Sequence, residues 1–338
     1  MSIITIVGAG MMGSAMAIPA SDNGHKVRLV GTPLDREIIE RAEKDGYHPT
    51  LKRKLPDGVE YYRAEELEKA LQNCDLLIGG VSSFGVEWFG EEVLPRISKE
   101  LPVLSVTKGM HTDEKGDFIP FPDYLAGKPG CEGLSLNAVG GPCISFELAD
   151  RHQTLVAFCG HDRKVLEKIK GMLSTDYYHI HLTEDVAGLE MAVAMKNAYA
   201  LGVALAIGMA EAKNGIGCPE EYNPQAALFA QSVKETITLL QMAGGNAEEI
   251  LYHAGDLYVT VFGGRTRKIG TLLGRGMTFT QAREELKGVT LESVAIAQVV
   301  VDALKKKNAD MSAFPLLNHI YDMITKNITV DVPWEHFE

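Results

Sequence analysis

Ser2-Ile3-Ile4-Thr5-Ile6-Val7-Gly8-Ala9-Gly10-Met11-Met12-Gly13 runs a short β-branched strand straight into a Gly-x-Gly-x-x-Gly turn. The spacing answers a physical need. Gly8 permits a tight turn off the strand, Gly10 has no Cβ to block a pyrophosphate, and Gly13 lets the next helix pack closely on a sheet. The N-terminal N–H groups of that helix then face phosphate charge. An inert glycine-rich turn has the same letters, so context decides. Residues 14–18 open a helix, and a second strand over 26–30 follows at βαβ distance. The stretch reads as a dinucleotide-binding turn, with Gly8, Gly10, Met11, Met12 and Gly13 against the cofactor.

An NAD-selective site usually ends its second strand on Asp or Glu, bonded to the ribose 2′-OH. Here that strand ends Val30-Gly31-Thr32-Pro33-Leu34-Asp35-Arg36. Thr32 and Arg36 offer a hydroxyl and a cation, an arrangement suited to a 2′-phosphate. Asp35 comes a few residues late, either to reach the ribose or to cap the helix that follows. The reading leans to NADP and leaves NAD open.

Composition sets bounds. A chain of 338 residues is long enough for two domains with proper cores. Apolar and charged fractions of 46% and 23% are those of an ordinary globular protein. A net charge of −12 argues against a general nucleic-acid or membrane-surface role, while local Lys and Arg still allow an anionic substrate. Cys74, Cys131, Cys143, Cys159 and Cys218 are scattered, which fits reduced thiols in a cytosol and neither a disulfide framework nor a metal site. The N-terminus enters the first strand with no signal-peptide pattern. Residues 186–210 are apolar but interrupted by Glu190, Lys196 and Asn197, and the run after Asn197 falls short of the roughly 20 residues that cross a bilayer. The expectation is a core helix, no membrane insertion and a cytoplasmic protein.

Apolar runs at 3–7, 26–30, 76–80, 103–106, 135–139 and 154–158 alternate with helical segments at 64–72, 86–99 and 162–173. Alternation of this kind predicts a doubly wound parallel α/β sheet whose ligands lie beyond the carboxyl ends of the strands. The loops after 80, 106 and 139 are therefore of interest. From 185 onward helical patterns take over: 185–213, 224–244, 247–253, 268–275, 280–286 and 291–307. The expected division is a dinucleotide-binding domain over 1–184 and an all-α domain over 185–338.

Several residues stand out chemically. Lys196, followed by Asn197, sits in an otherwise apolar helical run. An unpaired buried ammonium is costly and its pKa falls, which suits a general acid or base; a stem packed in the core with its head at the surface is the alternative. Lys108 follows the strand at 103–106, at the carboxyl edge of the sheet, where it either reaches a substrate or is solvated. Gly140-Gly141-Pro142 likewise begins at a strand end and allows backbone approach to a ligand. Further on, Gly255-Asp256-Leu257 leads through Thr260 to Gly263-Gly264-Arg265-Thr266-Arg267-Lys268. Two glycines feeding three cations and a hydroxyl suit a phosphate, which arginine grips bidentately.

In order, the motifs are Gly8-Ala-Gly-Met-Met-Gly13, Thr107-Lys108-Gly109, Gly141-Pro142 with Phe146-Glu147, Lys196-Asn197, Asn223-Pro-Gln-Ala-Ala-Leu228, Gly255-Asp256-Leu257 and Arg265-Thr-Arg267. Together they resemble the soluble NAD(P)-dependent glycerol-3-phosphate dehydrogenases, the archaeal type in particular, from Ile3 to about Leu304. The resemblance implies a Rossmann domain followed by a helical domain of the 6-phosphogluconate-dehydrogenase-like type, acting in glycerophospholipid metabolism. It implies that Lys196 is the catalytic acid/base, and that Lys108, Asp256 and Thr260 line the substrate site. It implies that Asn197 and Arg265, with Thr266 beside them, hold the substrate phosphate, Arg265 also being close to the cofactor. Lys287 falls where the family has Gln or Glu near the cofactor. Other departures are Thr266 for the family's usual Asn, Cys143-Ile144 in the loop after Pro142, and Gln231 where an arginine is usual. These bear on the phosphorylated substrate and leave the hydride chemistry intact.

The leading expectation is reversible reduction of dihydroxyacetone phosphate to sn-glycerol 3-phosphate by NAD(P)H. The alternatives are the same chemistry on another small phosphorylated or carboxylated 2-ketone, as in ketopantoate reductases, or a non-catalytic dinucleotide sensor. The apolar helical half is compatible with a homodimer.

Overall fold

The β-branched runs of the first half pair into one eight-stranded sheet in the computed structural model, which describes residues 1–337. Its strands are β1 (Ile3–Val7), β2 (Lys26–Val30), β3 (Glu60–Tyr62), β4 (Leu76–Gly79), β5 (Val103–Ser105), β6 (Leu136–Gly140), β7 (Thr154–Cys159) and β8 (Tyr178–Thr183). Their order is β8-β7-β6-β5-β4-β1-β2-β3. The first six strands are parallel and reproduce the 3-2-1-4-5-6 order of a doubly wound dinucleotide fold. β7 turns antiparallel to β6, and β8 runs parallel to β7, so the sheet is not parallel throughout. Ile4, Ile6, Leu29, Leu76 and Ile78 are buried on one core, and Val7, Leu77 and Val103 on another. Strands buried on both faces read as near-continuous apolar runs, which is why these were legible.

The first crossover is two short helices, α1 (Met11–Ala15) and α2 (Ala17–Asp22), broken at Met16, and α3 (Arg36–Asp45) follows β2. Pro19 supplies the cause: it has no N–H for the Ala15 carbonyl, and its ring crowds that carbonyl.

The chain divides into two compact units, one of residues 1–108 and 120–190, the other of residues 109–119 and from Met191 onward. A hairpin from the middle of the first half thus groups with the helices. Met110 is buried in the helical core and Phe118 packs against it, which accounts for that exchange.

The helical unit is built around α5 (Lys196–Asn214), preceded by α4 (Val186–Ala194). Around α5 lie α6 (Tyr222–Met242), α7 (Ile250–Val261), α8 (Gly264–Gly274), α9 (Glu292–Lys306) and α10 (Pro315–Thr325). The 186–214 stretch is long and apolar enough to cross a membrane, but 89% of its most apolar window is buried inside the protein. A helix that is apolar all round is a core helix when other helices cover it. Two expectations are corrected here. The single helix over 185–213 is interrupted at Met195, and the helix over 247–253 continues to Val261, so Gly255, Asp256 and Thr260 lie within α7 rather than in a loop. Helix α10 was not anticipated at all.

Helices α5 and α8 touch backbone to backbone. A Cβ on Gly270 would sit 2.5 Å from the Leu201 carbonyl oxygen, and one on Gly274 would sit 2.2 Å from that of Leu205. Both residue numbers rise by four between the two contacts, so the helices run parallel. Their N-termini, Asn197 on one and Arg265-Thr266 on the other, therefore share one end of the pair.

Candidate active site

In the sheet unit the glycine turn is held from both sides. Asp35 Oδ2 accepts from the Ala9 amide (3.1 Å), the Thr32 amide (2.9 Å) and the Thr32 hydroxyl (2.8 Å). His48, fully buried, bonds the Ala9 carbonyl through Nε2 at 2.8 Å and accepts the Leu51 amide on Nδ1 at 2.9 Å. Those partners fix its tautomer, and burial pushes its pKa down. Asp35 makes no helix-capping bond with its side chain. Its carboxylate instead ties the end of β2 to the turn, and the Thr32 hydroxyl spends its proton on that tie.

The three glycines are required for different reasons. At Gly8 (φ +112) a Cβ would lie 2.5 Å from the Gly80 carbonyl carbon, and at Gly13 one would lie 2.3 Å from the Gly8 oxygen. Gly10 has an ordinary φ of −68, and the nearest atom to its would-be Cβ is 3.8 Å away. The chain itself makes no demand for glycine at position 10. Close approach of a ligand backbone does, so the turn fits a dinucleotide pyrophosphate. Met11 is exposed at the helix start, while Met12 is partly buried with its sulfur 4.0 Å from Cys143 Sγ.

Beyond the end of β2 lies a cavity of about 330 Å³ lined by Gly31, Thr32, Arg36, Arg63, Trp88 and Arg96, among others. Arg36 is half exposed and paired with Glu65 at 2.6 Å. Arg63 and Arg96 were not anticipated. They come from segments distant in the chain, and no local pattern marks them. At the edge of the same sheet Lys108 Nζ donates to the Gly141 carbonyl at 2.7 Å, linking two of the loops singled out by sequence.

In the helical unit, Lys196 Nζ is 2.8 Å from Asp256 Oδ1; the Asp256 side chain is 1% exposed and that of Lys196 17%. The ammonium is thus a paired charge at the first position of α5, not a lone one in mid-helix. Thr260, one turn after Asp256, donates its hydroxyl to the Asp256 carbonyl at 2.6 Å. Asn197 is partly buried and Arg265 exposed, and neither makes a hydrogen bond or ion pair among the described residues. Arg267 is already engaged by Glu220 (2.7 Å) and the Val261 carbonyl (3.0 Å). Of the two arginines in the basic run, only Arg265 has its fork available. With Thr266 beside it at the N-terminus of α8, this is an arrangement suited to an anion. Lys287 is exposed and pairs with Glu284 at 3.3 Å.

The chain is similar to known proteins over nearly its whole length. Residues 3–184 match the family described as NAD-dependent glycerol-3-phosphate dehydrogenase N-terminus, and residues 185–335 match the corresponding C-terminus. The NADP(+)-dependent glycerol-3-phosphate dehydrogenase of Archaeoglobus fulgidus is 33% identical over 334 residues, 97% of each chain. A glycerol-3-phosphate dehydrogenase [NAD(P)+] of Agathobacter rectalis is 27% identical over 95% of this chain and 91% of its own. Among solved structures, that of glycerol-3-phosphate dehydrogenase from Coxiella burnetii superposes with a TM-score of 0.82 over 99% of this chain and 97% of its own, at 21% identity.

Proposed function

The chain belongs to the NAD-dependent glycerol-3-phosphate dehydrogenase family, and on that premise we propose how its residues interconvert dihydroxyacetone phosphate and sn-glycerol 3-phosphate with NAD(P)H. The reduced dinucleotide, when bound, supplies the hydride. Gly8, Gly10, Met11, Met12 and Gly13 hold its pyrophosphate, Thr32 and Arg36 its adenosine ribose, and Lys287 and Arg265 stand near it. Lys196 Nζ donates a proton to the keto oxygen as C2 is reduced, and recovers that proton from the alcohol in reverse. Asp256 pairs with the ammonium and aims it. Lys108 adds positive charge near the developing alkoxide, a term that gains strength where water is excluded.

Arg265 grips the substrate phosphate bidentately, with Asn197 and Thr266 as further donors and Thr260 lining the site. The observation that carries the reading is the Lys196–Asp256 pair at 2.8 Å, a held proton donor beside an arginine with no partner among the described residues. The setting we propose is a cytoplasmic enzyme of glycerophospholipid metabolism, built as two domains over 1–184 and 185–338 and assembled as a homodimer.

A steady-state assay with dihydroxyacetone phosphate and each reduced cofactor tests the substrate. Lys196→Met should lower kcat by about 10²-fold or more while NADPH affinity holds. Equal turnover in variant and wild type would mean another group is the acid.

A further inference from the structure

The helix that carries Lys196 is broken, and its own sequence does not break it. Residues 192–198 contain no proline or glycine, the usual local causes of an interruption. Even so, α4 ends at Ala194 and α5 begins at Lys196. In an unbroken helix the Lys196 amide would bond the Ala192 carbonyl. That carbonyl is taken by a side chain 61 residues away: His253 Nδ1 lies 2.8 Å from it.

The ring that does this is fixed in every respect. His253 is fully buried on α7, and its Nε2 lies 3.2 Å from Thr236 Oγ1. A carbonyl only accepts, so the ring proton is on Nδ1 and Nε2 accepts from the threonine. Tyr199 closes on the ring edge-to-face with centroids 5.8 Å apart, and the Tyr199 hydroxyl is anchored on Glu235 at 2.9 Å. Glu235 is in turn held by Gln231 and by the Leu316 and Leu317 amides at the head of α10. Burial pushes the His253 pKa down to about 4, so the ring is neutral wherever the enzyme is assayed.

Asp256, the partner of the Lys196 ammonium, stands one turn after His253 on the same helix. Helix α7 thus holds the lysine twice, by its backbone through His253 and by its side chain through Asp256. We propose that His253 is a positioning residue for the acid. By taking the Ala192 carbonyl it holds the α4–α5 ladder open between Ala192 and Lys196 and sets the backbone from which Lys196 reaches Asp256. The proposal rests on Lys196 being the proton donor of the reaction, as argued above.

The test uses the whole enzyme. His253→Leu should lower kcat about 30-fold with the KM for NADPH changed less than about two-fold, the mark of a displaced acid. Its crystal structure should show the Lys196 amide bonded to the Ala192 carbonyl and a continuous helix. His253→Asn keeps an N–H donor near the Nδ1 position and should recover kcat to within about three-fold of wild type. If His253→Leu does not fold, Thr236→Val serves, since losing the hydroxyl lets the proton leave Nδ1; kcat should fall by about five-fold, and Thr236→Ser should restore it. A His253→Leu enzyme with wild-type kcat, or one whose helix is still broken at Met195, overturns the proposal. Normal turnover in Lys196→Met would sink the acid assignment alone, because the variant's helix geometry decides the backbone claim separately.

Discussion

At the scale of single residues, the two decisive assignments are the reader of the 2′-phosphate and the grip on the substrate phosphate. Thr32 and Asp35 are bound to each other and to the glycine turn, so neither is free to choose between cofactors without disturbing that turn. A carboxylate at position 32 would face Asp35 across hydrogen-bond distance, and Thr32→Asp would report that repulsion as well as selectivity. Arg36 is the cleaner probe, being held only by exposed carboxylates. Arg36→Ala should raise KM for NADPH about ten-fold, the worth of one charge-assisted bond, and leave that for NADH nearly unchanged. Equal effects on both would place the 2′-phosphate elsewhere, with Arg63 the next candidate in the same cavity. Arg265→Ala should raise KM for dihydroxyacetone phosphate and also lower kcat, because phosphate binding energy orients the ketone. Lysine there should rescue only in part, since it restores charge without the fork. If an unphosphorylated ketone is the best substrate and ignores Arg265→Ala, the phosphate grip is wrong.

At the scale of elements, the parallel contact of α5 and α8 sets the geometry of the anion site at their shared end. Alanine in place of helical glycine normally stabilises by about 1 kcal/mol. Gly171 tests that baseline, since its helix face is open and a Cβ there meets nothing within 4 Å. Gly171→Ala should raise Tm. At Gly270 the added carbon meets backbone at 2.5 Å, and overpacking at a cost of about 1–3 kcal/mol wins. Gly270→Ala should therefore lower Tm and raise KM for the phosphorylated substrate, as the head of α8 moves off the head of α5. Opposite signs at two helical glycines would be hard to explain without the contact.

This contact also marks what a sequence can and cannot disclose. The strands around the dinucleotide turn were legible because burial on both faces makes them continuous apolar runs. β8 was missed although Tyr178, Ile180 and Leu182 alternate inward, and β3 is only three residues long. The reversal of β7 has no local signature, since direction depends on a partner strand. The helix expected to end at residue 253 runs on to Val261, because packing carries it through Gly255. The break beside Lys196 was invisible for the opposite reason: good helix formers are interrupted by His253, far away in the chain. Lys196, Asp256 and Arg265 could be picked out by residue type and motif, but their pairing or freedom was not there to read.

At the scale of the molecule, buried histidines give both units a common sensitivity to acid. His48 in the sheet unit, and His253 and His319 in the helical unit, all have pKa values lowered chiefly by burial, His253 to about 4. The sign follows from linkage. Between the folded and unfolded pKa the unfolded chain binds the proton and the folded one does not, so stability rises with pH across that window. The contribution is complete above the unfolded value near 6.5 and is lost as pH falls towards the folded value. For His253 the full window is worth about 3 kcal/mol, at about 1.4 kcal/mol per pH unit. Asp22, whose pKa is lowered first by its bond to Arg151, acts at lower pH: its contribution is present above about 4 and lost below it. Thermal stability should therefore fall in two stages, first between pH 6.5 and about 4 through the histidines, then below about 4 through the carboxylates. His253→Asn keeps the donor to Ala192 but has no proton to gain, so its Tm should fall less than wild type between pH 7 and 5. Parallel Tm-versus-pH curves for the two proteins would mean that His253 is already charged in the folded state, which its complete burial disfavours.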